Sequence, residues 1–345
     1  MSIEQEPRPT EAGNGPPTMA DVGRVAGVSA MTVSRALKGN SYIARGTFER
    51  IMAAVDQLGY VLDQSAGTLS SRRSGFIAAI VPSIDNSNFA DTARGITDAL
   101  AQTSMQLLLG YTNYSVEREE ELIESMLRRR PEGIILTGGE HTSRARSMLA
   151  NAGIPVIETW DVPENPINAV VGFSNADAME ALVDTLVPQG YSRFGFIIGT
   201  EASDARGRQR HIGFDRALLR HGLSSHRVVS VESTPMRMAH GAEAIRQLLR
   251  NFADTDIAIC VGDLPAFGAM TECRRMGLSV PGDIAIAGFG DYEIASVSEP
   301  GITTVNVDSY GIGAQAAGQM IAMLEKRSTA ATIKTSYQVL LRGST

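Results

Sequence analysis

Short apolar runs recur from residue 76 to residue 289 with amphipathic stretches between them, and few folds accommodate that rhythm. The runs are Phe76–Val81, Met105–Leu109, Gly133–Leu136, Pro155–Ile157, Phe194–Ile198, Ile257–Val261 and Ile284–Phe289. Between them, Phe89–Ala101, Glu117–Arg130, Asp177–Val187, Gly213–Arg220, Ala242–Asn251 and Pro265–Met276 carry the amphipathic pattern of helices. Strands apolar on both faces that alternate with helices build parallel sheets covered on each side. About 270 residues of this pattern exceed one usual domain, which predicts two similar subdomains. Ligands of such folds bind outside the carboxyl ends of the strands, so a cleft between the subdomains is the expected site.

The chain ahead of this region has a different texture. In the run Met19–Leu37, Val22, Ala26, Val28, Val33 and Leu37 provide apolar contacts between two short helices, and Gly27 supplies the tight turn between them. Thr18 followed by Asp21 is a capping-box-like start, and Ser29 can cap the second helix. Ala30, Met31, Ser34 and Arg35 then project outward. An Arg can donate two bonds to a guanine edge, and Ala or Met can touch a thymine methyl; Thr32 and Ser34 suit phosphate. A third helix fits Thr47–Leu58, with Ile51, Met52, Val55 and Leu58 on one face. Residues 61–74 form a polar connector ending in Arg72-Arg73-Ser74.

Charge follows the same division. The chain of 345 residues has net charge −7, which by itself argues against a nucleic-acid partner. From Thr18 to Gly75, however, seven Lys or Arg face four acids, so this head carries +3 and the rest −10. A basic head on an acidic body is expected when one domain meets phosphate and the other does not. No apolar run approaches the roughly 18–20 residues of a membrane helix. Met1–Pro17, with Glu4, Glu6 and Glu11 among Pro and Gly, lacks the pattern of a secretory signal. It reads as a disordered tail on a cytoplasmic protein. Cys260 and Cys273 are neither CxxC-spaced nor set among clustered His, so no disulfide, metal or cofactor is expected. GxGxxG after the first strand, GxxxxGK and GxSxG are absent, which argues against an enzyme.

The residues Ala26-Gly27-Val28-Ser29-Ala30-Met31-Thr32-Val33-Ser34-Arg35 closely resemble the recognition motif of the LacI/GalR family of bacterial regulators. Leu58-Gly59-Tyr60 and the ending Arg342-Gly343-Ser344-Thr345 look like the same family. The resemblance implies an all-α helix-turn-helix headpiece at 18–60 and a hinge helix at 61–74. It implies a periplasmic-binding-protein-like α/β core at 75–345 with two Rossmann-like subdomains, one at about 75–173 and 307–327, the other at about 174–306 and 328–345. A homodimer on palindromic operator DNA would follow, with Leu69 as the wedge between base steps. Gly23 replaces the family's usual Ala, at some cost to helix stability. Ala44 replaces its usual Ser, so a cap is lost or moved to Thr47. Leu62 and Asp63 stand where the hinge favours Pro-Asn, which puts the operator bend in doubt.

For the effector, Asn86-Ser87-Asn88-Phe89 matches the family's Asn-Pro-x-Phe, with Phe89 stacking on a sugar face. Asp161 matches a carboxylate that binds hydroxyls, and Arg210 a ligand-binding Arg. Gly262-Asp263 stands where the family has Asn-Asp, and Phe289-Gly290-Asp291 where it has Tyr-Asp. Further runs resemble the gluconate-operon repressor branch: His141-Thr142-x-Arg144, Glu158-Thr159-Trp160-Asp161, Val171-Gly172-Phe173-Ser174-Asn175 and Gly288-Phe289-Gly290-Asp291. A sugar acid such as gluconate is the effector this implies, with Arg210 and His141 facing its carboxylate. The alternative is an activator, or a corepressor-dependent regulator, responding to a neutral sugar or another effector.

Overall fold

The computed structural model describes residues 15–38, 43–62, 74–200 and 204–345. Residues 1–14 of the expected tail, hinge residues 63–73 and the proposed wedge Leu69 lie outside the described residues. The chain divides into two compact units, Met1–Arg72 and Arg73–Thr345.

The first unit holds three helices, α1 (Met19–Ala26), α2 (Ala30–Leu37) and α3 (Arg45–Leu58). Thr18 and Asp21 form a reciprocal capping box: Thr18 N donates to Asp21 Oδ2 at 3.0 Å, and Asp21 N donates to Thr18 Oγ1 at 3.3 Å. Gly27 ends α1 at φ 67°, a left-handed conformation that a glycine adopts without strain. Ser29 Oγ accepts from Thr32 N and opens α2. Val22, Val33, Ile51 and Ala54 form the buried centre, with Val28 and Leu37 packed against it. Gly23 sits where α1 meets the turn. The turn closes on it so tightly that a Cβ would lie 2.7 Å from the Val28 carbonyl oxygen. α3 starts two residues before Thr47, with Ala44 at the N-cap and no side-chain cap. The expected cap is lost rather than moved, because Thr47 already lies in the first turn.

The second unit contains two parallel sheets. The first has strand order β11-β5-β4-β3-β1-β2, built from β1 (Phe76–Val81), β2 (Gln106–Tyr111), β3 (Gly133–Thr137), β4 (Val156–Thr159), β5 (Ala169–Gly172) and β11 (Thr332–Lys334). The second has order β7-β6-β8-β9, from β6 (Phe194–Ile198), β7 (Arg227–Ser230), β8 (Ile257–Cys260) and β9 (Ala285–Ala287). β10 (Thr304–Asn306) and β12 (Gln338–Leu340) pair antiparallel. The helices are α4 (Ser87–Leu100), α5 (Val116–Arg128), α6 (Ser143–Ala150), α7 (Asn175–Leu186), α8 (Ala205–Arg220), α9 (Met238–Asn251), α10 (Asp263–Arg275), α11 (Glu293–Val297) and α12 (Ser309–Leu324). Every apolar run expected as a strand overlaps one. The second-subdomain segment expected from 328 needs adjustment: β11 pairs with β5, Thr332 against Val170, so the chain is still in the first sheet at Lys334.

Packing explains the double winding. One face of the first sheet buries Ile77, Ile135, Ile157 and Val171 under α4 and α12; the other buries Ile80, Ile134 and Leu136 under α5 and α6. An aromatic group of Phe89, Trp160, Phe173 and Phe289 belongs to a core that also takes in the second sheet's Phe194, Phe196 and Ile259. α9 and α10 touch backbone to backbone, since a Cβ on Gly241 or Gly268 would lie under 2 Å from a carbonyl oxygen of the other helix. The terminal Arg342-Gly343-Ser344-Thr345 is a structural lock. Ser344 Oγ donates to Ile286 O at 2.6 Å and accepts from Thr303 N at 2.9 Å.

Candidate functional site

In the first unit, α2 presents its outward residues to solvent. Ser29, Ala30, Met31 and Arg35 are exposed, Met31 by 65%, while Thr32 and Ser34 are half-buried. The Arg35 side chain makes no ion pair or hydrogen bond among the described residues, which leaves its planar fork available. Thr32 is partly committed, its Oγ1 lying 2.9 Å from Ser29 Oγ. Thr18 is likewise tied to Asp21 through Oγ1, at 2.6 Å. Arg50 Nε reaches the Ala26 carbonyl at 3.4 Å and so braces α3 against the turn.

In the second unit, a cleft of ≈ 390 Å³ opens at the carboxyl ends of strands from both sheets. Asn86 and Tyr114 line it from the first sheet; Asp204, Arg210, Thr234, Met236 and Tyr292 line it from the second. Two smaller cavities adjoin it. An inner one of ≈ 40 Å³ is walled by Asn88, Phe89, Trp160, Arg206 and Gly290, and a side one of ≈ 70 Å³ by Thr112, Ser115, Glu119, Thr137 and Arg206. Hydrogen bonds cross between the walls. Asn86 Nδ2 donates to Tyr292 Oη at 2.5 Å, and Asn88 Nδ2 to Gly290 O at 2.9 Å. Burial pushes the Tyr114 and Tyr292 hydroxyls above their ordinary pKa, so both remain neutral hydrogen-bonding groups.

Several expected ligand residues are employed elsewhere. Arg210 lines the cleft, but its Nε donates to Asn175 Oδ1 at 3.0 Å and its Nη1 to Val261 O at 2.7 Å. Its guanidinium also lies 3.8 Å from the Phe289 ring centroid, and burial lowers its pKa. Asn175 in turn donates to Trp160 O at 2.9 Å, so Arg210 ties the second sheet to the first.

His141 does not reach the cleft. Its side chain is 1% exposed, with Nδ1 2.7 Å from Glu119 and Nε2 3.4 Å from the fully buried Glu158. Burial disfavours its charged form, but the two carboxylates outweigh this and raise its pKa to about 9. Thr142 and Arg144 are structural as well. Thr142 caps α6 and bonds Glu120, and Arg144 pairs with Glu120 at 2.8 Å and Glu124 at 2.6 Å.

Asp263 does not line the cleft either, being completely buried. Its Oδ1 accepts from Thr304 Oγ1 at 2.7 Å and its Oδ2 from Tyr292 N at 2.8 Å. Burial raises its pKa to about 6 against those two hydrogen bonds. Asp291, in a left-handed conformation at φ 53°, accepts from Arg342 Nη2 at 2.6 Å and Asn306 Nδ2 at 2.8 Å, and it lines none of the three cavities. Asp161 lies outside the cavity walls; its Oδ1 accepts from Val162 N at 2.8 Å, and burial raises its pKa.

Phe89 and Trp160 do wall the inner cavity, packed edge to face with centroids 5.1 Å apart. Phe89 is only 4% exposed, and the Arg206 guanidinium lies 5.5 Å from its centroid, so it is no open platform for a sugar. Sequence reasoning missed Tyr114, Asp204, Arg206 and Tyr292. The available signal was Arg206 itself, four residues before Arg210 and hence on the same helix face.

Comparison with known proteins matches both units of the chain. Residues 18–63 match the bacterial regulatory proteins of the lacI family, and residues 183–345 the periplasmic binding protein-like domain. The HTH-type transcriptional regulator GntR of Escherichia coli K12 is 34% identical over 312 residues, covering 90% of this chain and 93% of that protein. The crystal structure of a LacI family transcriptional regulator from Silicibacter pomeroyi superposes with a TM-score of 0.89 at 32% identity, over 95% of this chain and 99% of that one. The lac repressor dimer bound to operator and the anti-inducer ONPF shares the fold, with a TM-score of 0.83 at 22% identity over 96% of this chain and 99% of that one. No helix among the described residues is long and apolar enough to cross a membrane.

Proposed function

The chain belongs to the LacI family of bacterial regulatory proteins and is a DNA-binding transcriptional regulator, and from that premise we propose that it represses an operon of sugar-acid catabolism. A sugar acid such as gluconate is the effector in this reading, bound in the cleft and releasing the operator. The observation that carries it is the lining of the cleft: neutral hydroxyl and amide groups from Asn86, Tyr114 and Tyr292 beside Arg206 and Arg210. That set matches a chain of hydroxyls ending in an anion. Two copies pair, and each α2 enters a major groove of a palindromic site, with Ala30, Met31, Ser34 and Arg35 against base edges. Ser29 and Thr32, near the N-terminus of α2, hold phosphate, and so does Thr18 at the start of α1. The protein acts in the bacterial cytoplasm as a binder and not as an enzyme.

A ligand controls DNA affinity only through unequal affinity for the two arrangements of the cleft. Thermal unfolding of the full chain with a panel of sugars and sugar acids tests the effector class. A ligand at about 100 times its Kd adds roughly 2.7 kcal/mol of stability. Gluconate or a related acid is expected to raise the melting temperature, with neutral sugars having little effect. No shift with any sugar acid overturns the effector assignment and leaves DNA binding untouched.

A further inference from the structure

Arg206 is in an unusual position for a charged group. Its residue is 8% exposed, and its guanidinium lies 5.5 Å from the Phe89 ring centroid and 5.9 Å from that of Tyr114. Among the described residues it has neither an ion pair nor a hydrogen bond. Buried cations are normally paired, because desolvating an unpaired charge is expensive. The aromatic faces compensate part of that cost and fix the plane of the fork, but they take none of its N–H donors. Arg206 lines both the inner and the side cavity. Room for the approach comes from Gly138, where a Cβ would lie 3.3 Å from Arg206 Nη1.

The contrast with Arg210, one helical turn along α8, is chemical. Arg210 spends Nε and Nη1 on Asn175 and Val261 and stacks on Phe289. We propose that the anionic group of the effector is received by Arg206, and that Arg210 is a positioning residue that holds the two walls of the cleft in register. The assignment rests on the sugar-acid reading and adds to it which residue distinguishes an acid from a neutral polyol. Asp204 lines the cleft and both smaller cavities, where its carboxylate can accept hydrogen bonds from hydroxyls.

The test is calorimetric titration of the full chain with D-gluconate and with D-glucitol, which carries CH₂OH in place of the carboxylate. The wild type is expected to prefer gluconate. Arg206→Gln should weaken gluconate binding on the order of ten- to a hundredfold and leave glucitol unchanged, the loss of a hydrogen-bonded charge pair. Arg206→Lys should recover part of the preference, and Arg210→Gln should weaken both ligands alike. Arg206→Met, whose apolar stem can still lie between the rings, decides the question should the Gln variant not fold. Undiminished preference for gluconate without Arg206, or equal loss of both ligands, overturns the assignment and spares the sugar-acid reading. A wild type that binds glucitol as well as gluconate, or binds neither, removes both.

Discussion

At the scale of single residues, the two arginine pairs show how little residue type alone says about role. Arg35 and Arg206 present donors that nothing in the described chain uses, whereas Arg210 and Arg342 are bonded into the framework. An exposed Arg at the second turn of a recognition helix can bond a guanine edge with two parallel N–H groups. Arg35→Ala is therefore expected to cost about 1–3 kcal/mol of operator binding and to relax base preference at one position of each half-site. Binding to a library of half-site variants reads this directly. Equal weakening on every sequence would instead place Arg35 on phosphate.

At the scale of elements, helix starts account for several residues that resemble motifs. Thr18, Ser29, Asn86, Ser115, Thr142 and Ser174 each accept from a backbone N–H of the helix they open. α3 lacks such a bond, with Ala44 at its N-cap. A hydroxyl there would reach the unsatisfied first-turn amides, so Ala44→Ser is expected to stabilise the headpiece by about 1 kcal/mol. Chemical denaturation of the headpiece transition is the check. No gain would mean that water already satisfies those amides at no net cost.

At the scale of the whole core, a buried ionic triad links three elements of the first subdomain. His141 joins the loop after β3 to Glu119 on α5 and Glu158 on β4. Its pKa is raised from 6.5 to about 9, so its contribution is complete below about pH 6.5 and is lost as pH rises through 9. His141→Gln should lower the melting temperature at pH 6 to 7, with the gap from wild type narrowing above pH 9. A gap independent of pH would show that shape rather than charge is what the triad supplies. The links Asn86–Tyr292 and Asn88–Gly290 join the same region to the second subdomain, where closure of the cleft can be coupled to the ligand.

The sequence by itself determined the headpiece and the class of the core. Apolar runs and helical spacing depend on neighbours along the chain, so β1 and β6 are found at their expected bounds. The short strands β5, β7, β10, β11 and β12 were not legible, because three or four residues carry too little pattern and gain their pairing from distant strands. The candidate site was legible in part. Phe89, Trp160 and Arg210 are at the cavities, while His141, Asp263 and Asp291 resemble ligands but serve as struts. Whether a buried charge is paired within the chain or left for a ligand depends on groups that arrive from other elements. That distinction between Arg206 and Arg210 was therefore decided only by the tertiary structure.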